Sequence, residues 1–122
     1  MRTKGTRALG RLGEDKACAF LEARGHRIVA RNWHGSHLEV DVISDASDGL
    51  HFVEVKTRLE ADATPEEKVD ARKQRRISAA ALKYLNETGS DREVFFDVVS
   101  VVFSGDESRV TYFPQAWIPF YM

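Results

Sequence analysis

The chain contains a single cysteine, Cys18, which excludes an internal disulfide framework and fits a reducing cytoplasm. No apolar run approaches the roughly 18 residues that a membrane-spanning helix needs. The opening Met1-Arg2-Thr3-Lys4-Gly5 lacks the apolar core of a signal peptide. There is no internal repeat, low-complexity tract or linker-like stretch, so residues 1–122 read as one domain, long enough for a single core. Nor is there a global basic field. The formal net charge is −1, which weakens the case for a nucleic-acid partner without excluding one. What remains is the composition of a globular domain without a membrane-bound part: 43% apolar and 30% charged residues.

The charge is unevenly placed. Arg2, Lys4, Arg7 and Arg11 crowd the start, and Lys68, Arg72, Lys73, Arg75 and Arg76 crowd a later segment. Acids gather elsewhere, in the stretch His37 to Arg58, HLEVDVISDASDGLHFVEVKTR. Two apolar-alternating runs flank the turn formers Ser44 to Gly49, the pattern of a β-hairpin. Residues two apart in a strand share a face, so Glu39 pairs with Asp41 and Glu54 with Lys56. Folding the strands antiparallel about Ser47-Asp48 sets Asp41 opposite Glu54 and Glu39 opposite Lys56. Opposed Cβ atoms lie roughly 5 Å apart, where like charges repel. A divalent cation between Asp41 and Glu54, bound through oxygen, resolves the conflict. The competing reading is a solvated face with a Glu39–Lys56 ion pair. A zinc site from His34, His37 and Asp41 is a third, without a supporting cysteine pair.

Around the hairpin the pattern alternates helices and strands. A first helix is expected over about Arg7 to Arg24, stopped by Gly25, with Leu9, Leu12, Phe20 and Ala23 as its apolar stripe beside Ala8 and Ala19. Glu14 lies at the edge of that stripe, and Cys18 reads as a small core hydrophobe. A short strand follows at His26 to Ala30, with Arg31 to Gly35 as a turn. Thr64-Pro65-Glu66-Glu67 carries N-cap and capping-box signals for a helix running to about Glu87. Its buried side takes Val69, Ile77, Ala80, Ala81, Tyr84 and Leu85, and Lys73 falls on the same side, so it must snorkel or reach an anion. The run Arg92 to Phe103 is a strand covered on both faces, in which Asp97 needs hydrogen bonds or a cation. A last strand is expected at Val110 to Phe113, followed by an aromatic tail from Gln115 to Met122 that closes the core or covers an edge. The sum is α/β, a mixed β-sheet flanked by helices in the order α-β-β-β-α-β-β.

Asp41 followed after a turn by Glu54-Val55-Lys56 resembles the signature of the PD-(D/E)xK nucleases, whose fold is restriction-endonuclease-like. Gly13-Glu14, Arg31-Asn32, Glu39-Val40-Asp41, Lys73-Gln74 and Phe96-Asp97-Val98 extend the match. Together they resemble the YraN-like family of small bacterial predicted endonucleases, similar to archaeal Holliday-junction resolvases, over about Leu9 to Trp117. One residue departs from the family pattern: Leu38 stands where a glycine usually precedes the first acid.

The resemblance implies a cytoplasmic, Mg²⁺- or Mn²⁺-dependent endonuclease acting on branched or single-stranded-containing DNA, and by analogy with the resolvases a homodimer. It implies Asp41, Glu54 and the Val55 carbonyl as metal ligands. Lys56 would stand over the attacking water, with Glu39 and Glu14 as further acids. Lys73 and Gln74 would contact the scissile phosphate, while Arg72, Arg75 and Arg76 would track the backbone. Two other expectations stand beside it: a nucleic-acid-binding accessory module of the same fold without turnover, and a protein-interaction domain that uses the tail Trp117 to Tyr121.

Overall fold

A computed structural model describes residues 2–62 and 69–118 and, of residues 2–6, the backbone alone. Helix α1 (Arg2–Ala23) precedes strands β1 (Arg27–Gly35), β2 (Leu38–Ala46) and β3 (Gly49–Leu59). A 3-10 turn (Glu60–Asp62), helix α2 (Ala71–Thr88) and strands β4 (Val94–Ser104) and β5 (Glu107–Trp117) follow. The five strands form one mixed sheet in chain order, β3 and β4 parallel and every other neighbouring pair antiparallel. The parallel pair needs a crossover, and α2 lies within it. The element order expected from the sequence is the one observed.

Each face of the sheet carries one helix. Ala17, Cys18 and Leu21 of α1 pack on Val42, Val53, Val99 and Val101. Ile77, Ala80 and Ala81 of α2 pack on Val40, Ile43, Phe52, Phe96 and Val98. Trp117 closes this second core, stacked on Phe96 at 5.1 Å between ring centroids. Residues 119–122 of the aromatic tail lie outside the described residues.

Several local expectations need correction. The buried stripe of α1 is Gly13, Ala17, Cys18 and Leu21, whereas Leu12 is 51% exposed and Ala8, Ala19 and Ala23 face solvent. The cause is close packing. A Cβ on Gly13 would stand 2.0 Å from Thr57 Oγ1, so only glycine lets the helix sit down on β3 there. Strand β1 does not turn at Arg31 but runs on to Gly35, and Asn32 absorbs the kink at φ 52°, a left-handed conformation that asparagine tolerates. Strand β5 extends well beyond Val110 to Phe113 in both directions.

The capping signals at Thr64 to Glu67 lie outside the described residues. The described N-cap is Asp70, extended at φ −70° and ψ 166°, whose side chain accepts from Lys73 N–H, so α2 cannot run unbroken from Thr64. Gly89, left-handed at φ 69°, ends it as expected.

Asp97 is fully buried in β4 and fully partnered. His51 Nδ1 meets its Oδ2 at 2.6 Å, the Tyr112 hydroxyl donates to the same oxygen at 2.6 Å, and Gln115 N–H donates to Oδ1 at 3.0 Å. His51 also reaches Asp48 in the β2–β3 turn at 2.8 Å. Burial opposes the His51 imidazolium, but its bonds to Asp97 and Asp48 outweigh that, and its pKa is raised. The network staples the turn, β3, β4 and β5 together. Replacing Asp97 by alanine orphans all three partners and should cost about 3–5 kcal/mol in urea unfolding, with Asp97→Asn costing less. An alanine variant as stable as the parent would show that the network is slack.

Candidate active site

The β2–β3 hairpin has the register read from the sequence, Val42 opposite Val53 through Ala46 opposite Gly49. The ladder stops at Val42–Val53. Beyond it, in place of a further rung, the Asp41 carboxylate Oδ2 accepts the Val55 N–H at 2.9 Å. A strand residue directs its N–H and C=O toward the same neighbouring strand, so the Val55 carbonyl faces the gap that Asp41 occupies. Strand β2 also turns over at this point. Val40 belongs to the α2-side core and Val42 to the α1-side core, although residues two apart would share a face in a regular strand.

Asp41 consequently borders two clefts. On the α2 side a cleft of about 230 Å³ is lined by Glu39, Asp41, Glu54, Lys73 and Arg76, among others. Here three acids from adjacent strands meet two basic side chains of one helix. Lys73 Nζ lies 3.0 Å from Glu54 Oε2, the anion its position on the helix called for. Burial works against the Lys73 charge, but Glu54, then Asp41 and Glu39, more than offset it, and the ammonium is held above its usual pKa. Arg76 reaches the His37 carbonyl at 3.3 Å.

On the α1 side, Glu14 and Asn32 join Asp41, Val55 and Thr57 around a larger cleft. Asn32 Nδ2 donates to Glu14 Oε1 at 2.9 Å and Arg31 approaches the same oxygen at 3.3 Å. The three residues meet because Gly13 seats the helix and the Asn32 kink falls between the pairs Arg31–Val42 and Trp33–Val40, beside Asp41. Nothing in hydrophobic periodicity marks Asn32 as a site residue. The signal was its adjacency to Arg31 in a short motif.

Other expected placements differ. Glu39 does not face Lys56, because the ladder has ended; it faces β1 instead, with His34 Nε2 at 3.8 Å. His34 also bonds the Asn32 carbonyl through Nδ1 at 2.9 Å. Lys56 keeps Glu54's face of β3 by strand parity and is half-buried, with no ion pair to Glu39, Asp41 or Glu54. Gln74 does not point to the site; its Nε2 bonds the Val69 carbonyl at 2.7 Å and secures the start of α2. Arg72 and Arg75 are exposed on α2.

Burial, and next the Glu54 carboxylate, push the Asp41 pKa up to about 7, against the Val55 N–H that favours its anion. Two acids crowded in this way fit a divalent cation, whose charge would relieve both. Among the described residues no three His, Cys, Asp or Glu side chains form a ready-made cage. Two carboxylates and the Val55 carbonyl are nevertheless a donor set suited to Mg²⁺, which keeps waters and takes the rest of its shell from phosphate.

The raised pKa has a stability consequence. The folded state holds the Asp41 proton up to about pH 7 while the unfolded chain loses it near 3.8. Between those values the folded state binds more protons, so metal-free stability falls as pH rises, and the loss is complete above about 7. Asp41→Asn keeps an acceptor for Val55 N–H and removes the crowding. It should raise metal-free stability by about 1–2 kcal/mol above pH 7 and by almost nothing near pH 4. Thermal melts at both ends of the range check this, and an equal gain at both would refute it.

The element order, the mixed five-stranded sheet and the acids at the parting of two strands define a restriction-endonuclease-like fold. The chain belongs to the uncharacterised protein family UPF0102, the YraN-like family, whose model matches residues 13–101. It is similar to a UPF0102 protein of Porphyromonas gingivalis, 46% identical over 100 residues, covering 81% of this chain and 74% of the relative. A UPF0102 protein of Anaeromyxobacter dehalogenans is 44% identical over 115 residues, 93% of this chain and 86% of the relative. One from Bacteroides thetaiotaomicron is 38% identical over 112 residues, 91% and 93% respectively. Among the described residues no helix is long and apolar enough to cross a membrane.

Proposed function

We propose that this protein is a metal-dependent endonuclease that hydrolyses phosphodiester bonds in branched or structured DNA. The observation that carries the reading is the meeting of Asp41 and Glu54 where β2 parts from β3, in a cleft rimmed by Lys73 and Arg76. Acids this close are unfavourable in the free protein and become useful only when a cation arrives. Asp41, Glu54 and the Val55 carbonyl would hold Mg²⁺ or Mn²⁺, which when bound supplies a Lewis acid for the phosphate and an activated water.

The remaining work belongs to the side chains. Lys73 and Arg76 bring positive charge to the α2-side rim and offset a phosphodiester that must approach three carboxylates. Lys56, on Glu54's face, supplies charge for the phosphorane or orients the attacking water. Arg72 and Arg75, exposed on the same helix, extend the basic surface along the backbone without reading sequence. Glu14, held by Asn32 and Arg31, adds a further acid on the opposite side of Asp41.

A binding module of the same fold without turnover is the second reading. It is favoured by the Lys73 ammonium, which already neutralises Glu54 at 3.0 Å. Four-way junction, flap and linear DNA incubated with the protein under Mg²⁺ and Mn²⁺ separate the two. The nuclease reading expects metal-dependent cleavage, abolished in Asp41→Asn and reduced about 10²–10³-fold in Lys56→Ala. Equal inactivity of the parent and Lys56→Ala on every substrate counts against it. DNA affinity that survives Asp41→Ala without any cutting supports the binding module.

A further inference from the structure

The α1-side cleft is the larger of the two that Asp41 borders, about 400 Å³ against about 230 Å³. Glu39, Glu54 and the basic groups of α2 lie in the smaller one, whereas the larger holds Glu14 together with two arginines to which the reading above gives no part. Its volume lies within the range of small-molecule sites, about 300–1,000 Å³. Arg7 and Arg11, four apart and so on one side of α1, line it together with Leu9, Val55, Asn32 and Thr57. Among the described residues neither arginine has a carboxylate within ion-pair distance. The nearby Glu14 is already engaged by Asn32 and Arg31. Beside the carboxylates of Glu14 and Asp41, the cleft therefore offers two guanidinium groups that have no ion pair among the described residues, two apolar side chains and two small polar ones.

We infer that this cleft is a subsite for one unstacked deoxynucleotide adjoining the scissile phosphate, with Arg7 and Arg11 on its phosphate and Leu9 and Val55 against its sugar and base. The inference deepens the DNA reading and rests on it for the connection to cleavage. Among the described residues Asp41 is the one lining residue that the two clefts share. A strand passing over it leaves phosphates beside Lys73 and Arg76 on one side and beside Arg7 and Arg11 on the other. Planar guanidinium forks suit bidentate phosphate contact. A cleft of this size accepts one nucleotide and excludes a stacked duplex, so it selects DNA that is single-stranded or splayed at the cutting point. The floor of the cleft depends on Gly13, since a side chain there would collide with Thr57 and lift α1 away.

Titration of the full chain with thymidine 5′-monophosphate, followed through backbone amide signals in the presence of Mg²⁺, tests the subsite without reference to turnover. The expected result is saturable shifts at Gly10, Asn32, Val55 and Thr57. Binding should weaken about tenfold or more in an Arg7→Ala/Arg11→Ala variant. It should be unchanged in Arg27→Ala/Arg109→Ala, which removes the same charge from exposed positions elsewhere. Shifts absent from these amides, or an Arg7→Ala/Arg11→Ala variant that titrates like the parent, overturn the subsite. If the parent cuts DNA while those amides stay silent, the subsite falls and the nuclease reading stands. If the amides respond but no substrate is ever cut, the subsite stands and the nuclease reading falls.

Discussion

The parting of β2 from β3 is the constraint on which the rest of the site depends. A β-ladder normally spends every N–H on a neighbouring carbonyl. Here the ladder ends at Val42–Val53, and the next N–H on β3, that of Val55, is taken by the Asp41 side chain. One substitution of side chain for backbone has three effects. It fixes the Asp41 carboxylate in the plane of the sheet, it brings that carboxylate against Glu54, and it opens the Val55 carbonyl to the gap. The reversal of β2 between Val40 and Val42 belongs to the same event. A strand that continued its regular pleat would have kept Asp41 on one face, bordering one cleft.

The two helices convert that opening into a site with two sides. Helix α2 brings Lys73 and Arg76 to one cleft, anchored by its Asp70 cap and the Gln74–Val69 bond. Helix α1 brings Glu14 to the other, anchored by the Gly13–Thr57 contact. Both anchors are short-range and unforgiving. The side chains that line the clefts are long and adjustable, while the groups that place them are a glycine, a cap and a backbone bond.

How much of this was legible in the sequence varied with the range of the interaction. The hairpin register was, because turn formers at Ser47-Asp48 and strict alternation on either side leave one pairing that buries the apolar residues. The burial of Asp97 was, because a lone charge in an apolar run has nowhere else to go, but its partners come from β3 and β5 and carried no local sign. The end of the ladder was not legible, and with it the separation of Glu39 from Lys56. It depends on packing between elements far apart in sequence. Hydrophobic patterning misplaces the α1 stripe because glycine and alanine weigh little in it, although small residues are what allow a helix to approach a strand closely. Asn32 and Gly35 look like turn residues and so hide the full length of strand β1 from the sequence pattern. Asn32 does adopt a left-handed conformation, yet inside the strand, as a kink beside Asp41.

The sheet carries two buried-acid centres, and their difference argues for what each is for. Asp97 has donors on both oxygens, at 2.6, 2.6 and 3.0 Å, and lies wholly inside. Such an acid is a structural element: its charge is spent, and any ligand would have to dismantle the staple. Asp41 accepts one backbone N–H at 2.9 Å and is then set against a second carboxylate, at a surface cleft, with its proton retained to about pH 7. A chain that needed Asp41 only for folding would gain by giving it partners on both oxygens, as it has given Asp97. Keeping an acid under-compensated costs stability, a cost that a cation bound by the folded state alone would offset. That asymmetry within one sheet sets the Asp41–Glu54 pair apart from a structural acid such as Asp97 better than any count of acidic residues.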